Sequence, residues 1–432
     1  MADIDKAITF DEQVDLNVRD RTKGMEIEVD VTEENPDLDS FEQMEDGSIA
    51  FGEPTPPAED TDFYANLADI MPDSDLNSLK NDLMSNIESD KDSRGDWEKT
   101  YREGLEYLGM KYEERSQPFE GASGVMHPLL SESVTQFQAQ AYNELLPSQG
   151  PVKTQVLGMT TPETEQQAAR VQEFMNYQLM QVMKEYDPET DQMLFYLPLS
   201  GSAFRKVYYD QNLGRAVSKF IPSEDLIVPY SATDLHSATR ITHVINMPMN
   251  DIRKLQQIGF YKDVDLDSGN MMADETEDIQ EGIDELQGVK PSYDDDDTCK
   301  VHEIHTELDI EGFEDMNAEG EETGIKLPYI VTIGNNKVLS IRRNYKENDQ
   351  LKQRINYFVH YKFLPGLGFY GFGLTHMIGG LSKAATSILR QLIDAGTLSN
   401  LPAGFKARGI RIRNDDQPLQ PGEFRDMDAP GG

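Results

Sequence analysis

The sequence has a single cysteine, Cys299, among 432 residues. That excludes an intrachain disulfide framework and a zinc site built from several cysteines. Long apolar runs are missing too. No stretch of about 18 apolar residues occurs, so nothing reads as a membrane-spanning helix. Residues Met1 to Phe10 carry Asp3 and Asp5 and lack a basic-then-apolar leader pattern. Basic residues are scarce. The chain has 39 Lys and Arg against 79 Asp and Glu, a formal net charge of −40, which argues against a basic groove wrapped on nucleic acid. The hydrophobic share is 38%, below the about 45–50% of average globular chains, which also counts glycine. Part of the chain is therefore expected to stay unpacked. No P-loop, nucleophile elbow or paired-histidine zinc motif occurs. These absences predict a soluble protein of a reducing compartment, not an enzyme, with no cofactor and no metal.

What is present is unevenly charged. Residues 1–96 hold 28 acids and 7 bases, a net of −21, and residues 263–322 hold 23 acids and 2 bases, again −21. The other 276 residues sum to +2, with +7 in residues 323–432. The first acidic segment has few aromatics and a turn-rich run at Glu53-Pro54-Thr55-Pro56-Pro57. It predicts a mostly disordered region over 1–96, with short helical pieces near 63–71 and 76–87. The second predicts solvated insertion loops, with a strand near 300–310. A docking role for this acid is the alternative to a plain solvated tail and loop.

Periodicity predicts a mixed α+β fold. Trp97, Tyr101, Leu105 and Leu108 recur at helical spacing, as do Leu130, Val134, Phe137, Ala141 and Leu145. Ala168, Val171, Met175, Leu179, Val182 and Tyr186 form a third stripe, opened by Pro162 and stopped by Pro188. Residues 203–209 and 215–221 flank a turn at 211–214 and predict a hairpin. Residues 239–247 predict a strand, followed by a short helix capped by Asn250 and running to Gln257. Further strands are expected at 300–310, 329–333, 338–344 and 357–363, with Asn335-Asn336 as a turn. Leu374, Ile378, Leu381, Ala385, Ile388 and Leu392 repeat at alternating spacings of four and three, with Gly379, Gly380, Ala384 and Ser387 nearby. This seam fits a core helix of one chain or a helix packed on copies of itself. Lys406, Arg408, Arg411 and Arg413 alternate with apolar residues and predict a short strand with one basic edge.

Three patterns invite chemistry. Gly366, Gly368 and Gly371 fit a dinucleotide-binding spacing between a strand and a helix. Aromatic residues crowd that loop, and no second parallel strand ending in an acid follows. Cys299, His302 and His305 suggest a metal, but positions 302 and 305 of a strand face opposite ways. Asp263, Asp265 and Asp267 begin like a calcium loop, which then lacks the required glycine and the terminal glutamate. A basic and aromatic set from Arg342 to Lys362 fits either a nucleic-acid backbone contact or ordinary solvated strand faces.

Several short motifs together resemble the portal proteins of tailed bacteriophages, of the podovirus type. They are Arg94-Gly95-Asp96-Trp97-Glu98, the run Gly104 to Gly109, and the run Pro118 to Leu130. Leu199-Ser200-Gly201-Ser202-Ala203-Phe204-Arg205-Lys206 with Tyr208, and Ile221-Pro222-Ser223-Glu224-Asp225-Leu226, belong with them. The densest are His360 to Gly366, Gly371 to Leu374 and Ile393 to Leu398. The resemblance covers roughly residues 60–432.

It implies a head-to-tail connector: a homo-oligomeric ring, typically of twelve copies, at one capsid vertex of the virion, made in the host cytoplasm. Double-stranded DNA passes through such a ring in packaging and ejection. The terminase large subunit, a tail adaptor and capsid proteins are the implied partners, with no membrane. The resemblance implies a wing over 97–373, divided as a helical then β-rich core over 97–262, the acidic insertion over 263–322 and a β-rich part over 323–373. Residues 374–432 would be a stem-type helix and the start of a clip. Leu374, Ile378, Leu381, Ala385, Ile388 and Leu392 become oligomer-interface candidates. Lys406, Arg408, Arg411 and Arg413 become candidates for partner or DNA-backbone contact. Such proteins usually continue with a second stem helix, a channel loop and a crown, so the chain is expected to be truncated. The alternatives are a nucleotide-cofactor enzyme using the 366–371 loop and an acidic scaffold or adaptor.

Overall fold

A computed structural model describes residues 62–110, 114–117, 119, 122–211, 213–266, 278–289, 298–316, 322–366, 368–400, 411–412 and 427–428. Helices and strands mix, as the α+β expectation requires. The helices are α1 (Asp73–Asp92), α2 (Gly95–Tyr107), α3 (Leu129–Leu145), α4 (Pro162–Tyr177), α5 (Tyr186–Ser200), α6 (Met249–Gln257), α7 (Asp278–Gln287) and α8 (Leu374–Asn400). The strands are β1 (Ser202–Asp210), β2 (Arg215–Ile221), β3 (Leu226–Ile227), β4 (Arg240–Pro248), β5 (Thr298–Leu308), β6 (Leu327–Gly334), β7 (Lys337–Arg343), β8 (Phe358–Lys362), β9 (Arg411–Ile412) and β10 (Met427–Asp428).

Local chemistry makes the hairpins. β1 and β2 pair antiparallel from Phe204↔Ile221 to Asp210↔Arg215, closing on Gly214 in the left-handed region. Asn335 and Asn336 both take positive φ, 44° and 62°. That twist suits a two-residue turn, and it joins β6 to β7. The strands β3 to β7 form a five-stranded antiparallel sheet in chain order. A second sheet runs β2-β1-β8, in which β8 returns from far along the chain to pair Ser202 with Lys362. β9 and β10 pair only with each other.

Each face of the large sheet is covered. Leu76, Leu83 and Ile87 of α1 share a core with Ile304, Tyr329, Val331 and Ile341. Cys299, Val301 and Leu339 pack instead with Met249 and Ile252 of α6. Phe204, Leu226, Phe358 and Phe369 join the two sheets. Tyr101, Leu105, Leu130, Val134, Leu199 and Ile279 form a helical core where α2, α3, α5 and α7 meet.

Several expectations change. Residues 62–96 of the first acidic segment are packed, because the spacing of Leu76, Leu83 and Ile87 gives α1 an apolar face for the sheet. The disorder expected over 1–61 lies outside the described residues. The insertion over 263–322 is not all solvated loop. α7 lies within it and buries Ile279 against α2, and β5 is a central strand. Pro188 does not stop a helix; it sits in the first turn of α5, where its missing N–H costs nothing. The helix from 162 ends at Tyr177, passes into a π-turn over Gln178–Val182, and leaves Val171 and Met175 exposed. Asn250 is no cap, since α6 begins one residue earlier with Pro248 in the cap position.

Candidate oligomer interface

The seat of α8 is built from the motifs that carried the resemblance. Gly201 ends α5 in the left-handed conformation, φ 85°, and its N–H donates to Leu197 O at 2.9 Å. A methyl at Gly201 would lie 2.3 Å from the carbonyl of Gly371, so the 366–373 loop presses directly on the end of α5. Ser202 Oγ accepts the Gly371 N–H at 2.8 Å. Arg94, buried, donates to the carbonyls of Ser223, Glu224 and Leu226, at 3.2, 2.6 and 2.9 Å, and pairs with Glu98. Trp97 stacks on Tyr370 with ring centroids 4.5 Å apart. Segments far apart in the chain thus meet in one socket.

α8 rises from that socket, 27 residues long. Its inner face is small and polar. Thr375 Oγ1 donates to Leu199 O at 3.0 Å, and Gly379 lies under the Tyr107 ring. Thr386 Oγ1 accepts the His127 N–H at 3.0 Å, and Asp394 Oδ1 accepts the Ser123 N–H at 2.7 Å. Arg390 Nε donates to Val125 O at 2.7 Å. These side chains satisfy backbone groups of Ser123, Val125 and His127 in an irregular segment.

The apolar side faces out. Leu381, Ile388 and Leu392 are 64%, 66% and 70% exposed, and Met377 and Phe372 extend the same surface toward the socket. The six heptad candidates therefore separate. Leu374 and Ile378 lean on the helical core, Ala385 is half-buried, and Leu381, Ile388 and Leu392 have no apolar cover among the described residues. Every Lys, Arg, Asp and Glu of α8 (Lys383, Arg390 and Asp394) lies on a different side, along a cleft of about 1200 Å³ between α2 and α8. Surface helices normally turn a charged face to water. α8 turns an uncharged one.

The other chemical patterns of the sequence are spread over the fold. Gly366 and Gly371 lie close against neighbouring backbone, Tyr370 O and Gly201 O, while Gly368 faces open space. The strand before them pairs antiparallel, Phe369 is buried against Phe204, and Gly371 serves close packing. His302 and His305 lie on opposite faces of β5, and no group of three or more His, Cys, Asp or Glu is placed to hold a metal among the described residues. Asp267 lies outside the described residues, and so do Lys406, Arg408 and Arg413. Arg411 stands in β9 opposite Asp428. The basic set from Arg342 to Lys362 is largely spent on the fold. Arg342 and Arg343 donate to the carbonyls of Tyr64 and Phe63, Arg354 donates to those of Ala238 and Leu235, and Lys352 pairs with Asp315.

The sequence did not reveal a buried charge cluster between the sheets. Lys206 of β1 donates to both oxygens of Glu303 on β5, 2.6 Å each, and His305 Nε2 donates to Glu303 at 2.7 Å. Burial works against the Glu303 charge, but Lys206 and His305 outweigh it and hold the carboxyl well below its usual range. Burial pushes His305 down, so it is neutral, and Asn344 donates to its other nitrogen. Burial, with Lys206 nearby, pushes His243 down to about 3. The only signal for this cluster was an acid at an inward-pointing position of a strand.

The model of the phage SU10 portal protein family matches residues 204–414, just under half of the chain. The match runs from β1 through both sheets, the socket loop and α8. Over that span the chain resembles a phage portal protein. No curated protein matches it.

Proposed function

We propose that this chain is the subunit of a portal ring at a capsid vertex, a conduit for double-stranded DNA in packaging and ejection. One observation carries the reading: α8 leaves an uncharged apolar face without cover among the described residues, at the end of a segment that resembles a portal protein. Burying apolar surface stabilises by about 25 cal/mol per Å², so such a face favours assembly with copies of the same chain. Cyclic assembly turns one such contact per subunit into a closed particle.

The role is mechanical, and force comes from a partner. The chain has no nucleotide-binding motif, so the terminase large subunit supplies the ATP hydrolysis. The ring, of twelve copies by analogy, docks that motor and later the tail adaptor, and it is held by capsid proteins. Its place is the virion, after synthesis in the host cytoplasm. The residues outside the two acidic segments sum to only +2, which suits a channel that passes DNA without gripping it.

Mass photometry of the full chain, with electron micrographs of the same sample, tests this. The expected result is a single large species with a central hole. A persistent monomer at every salt concentration would overturn it.

A further inference from the structure

α8 carries two unlike surfaces side by side. One is the apolar strip from Leu381 to Leu392, whose ends lie about 16 Å apart at 1.5 Å rise per residue. The other is its wall of the cleft shared with α2, from Lys383 to Leu398, about 22 Å by the same rise. The strip has no charge. The cleft is walled by apolar groups such as Tyr107, Met126 and Leu398, and equally by charged side chains, among them Lys99 and Arg102 of α2 and Lys383 of α8. Such side chains lay aliphatic stems on apolar groups while their charged ends remain in water.

Symmetry decides what the strip can meet. If strip met strip, the contact would be isologous and would close at two copies. A ring needs a heterologous contact, in which a surface meets a different surface on its neighbour. The cleft is contiguous with the strip, longer than it, and lined by apolar groups and by charged side chains whose aliphatic stems can cover Leu and Ile.

We infer that the apolar strip of α8 in one copy docks into the α2–α8 cleft of the next copy. The partner is thus a second copy of this chain, and the inference rests on the ring reading above. Neighbouring α8 helices then lie alongside one another, each using one side as insert and the adjacent side as receptor. The contact repeats in one direction around the particle.

Disulfide trapping tests the geometry, and the native Cys299 is buried and does not interfere. Two double variants of the full chain, I388C with E106C and L392C with K99C, are oxidised and run on non-reducing gels. Their reduced forms are first matched to the parent particle by mass photometry. The expected result is a ladder of linked multimers from at least one pair, and none from any single variant. Linked dimers from I388C or L392C alone would overturn the inference, because they place strip against strip. A ring-sized particle with no ladder from either pair would also overturn it, while leaving the ring reading intact. A parent chain that is monomeric throughout would remove both.

Discussion

Asn66 completes the edge of the large sheet by standing in for a strand at Ile341. Its side-chain oxygen accepts the Ile341 N–H at 2.9 Å, and its amide donates to Leu339 O at 3.2 Å. The same oxygen accepts the Ala68 N–H at 3.2 Å and starts the short 3-10 turn Leu67–Asp69. One amide therefore blunts the β7 edge, which would otherwise present unpaired backbone groups, and anchors the first packed residues.

Replacing Asn66 with Ala leaves two buried N–H groups, of Ile341 and Ala68, without their acceptor, whereas Leu339 O keeps the Lys262 N–H at 2.7 Å. Each costs about 1–3 kcal/mol. The expected outcome is a stability loss of about 2–4 kcal/mol by urea unfolding. Faster hydrogen exchange at Ile341 is the local signature. Unchanged exchange there would show that another group satisfies the edge.

Lys206→Met strands the Glu303 carboxylate in the joint between the sheets. Breaking a buried pair from one side costs about 3–5 kcal/mol. The double variant K206M/E303L is expected to be markedly more stable than K206M alone, because it removes the stranded charge. Denaturation midpoints of the two single variants and the double variant measure the coupling.

The same cluster gives a pH dependence whose sign is fixed. His243 and His305 have folded values below 6.5, so below that pH the unfolded chain takes up protons that the folded chain refuses. Their stabilisation is present above pH 6.5 and falls as pH drops. Glu303, also lowered, adds a further loss below about pH 4.5. From the value of about 3, His243 alone predicts a loss of about 2 kcal/mol between pH 7.5 and pH 5. Unfolding midpoints at the two pH values check this, and His243→Phe should flatten part of the slope.

Gly104→Ala should loosen α8. A methyl there would lie 2.5 Å from Thr375 Oγ1 and 2.7 Å from its Cγ2, and Thr375 is held by its bond to Leu199 O. Overpacking of this kind costs about 1–3 kcal/mol. A double-mutant cycle with Thr375→Ser, which removes the Cγ2 clash, should show coupling well above the additive error of about 0.5 kcal/mol.

Ile388→Glu with Leu392→Lys should leave the single chain folded, since both residues are exposed there. Surface changes usually stay within about 0.5 kcal/mol. The assembly, by contrast, should dissociate. Circular dichroism melts, together with mass photometry, separate the two effects.

Much of the fold was legible in short stretches. Alternation marked β1, β2 and β4 to β8, and two consecutive asparagines marked a turn that needs positive φ. Charge counting separated two acidic segments from a neutral body, but it could not show that the residues around Leu76, Leu83 and Ile87 carry a packing face. Nor could it show that Glu303 is buried. Both depend on partners more than 90 residues away. The basic set over 342–362 left two readings open for the same reason: arginines that satisfy distant carbonyls look identical, in a string of letters, to arginines that await a phosphate.

The sequence alone determined that α8 is a long helix with an apolar seam, that no catalytic motif is present, and that Gly201, Gly371 and Gly373 belong to one set of motifs. Tertiary structure decided which side of α8 turns inward. Thr375, Gly379, Thr386 and Asp394 face the body because small side chains allow close approach and polar ones satisfy the bare backbone at Ser123, His127 and Leu199. Hydrophobic periodicity measures only which residues share a side. Whether that side meets its own chain or another copy depends on where unsatisfied backbone groups lie in space, and those come from distant segments.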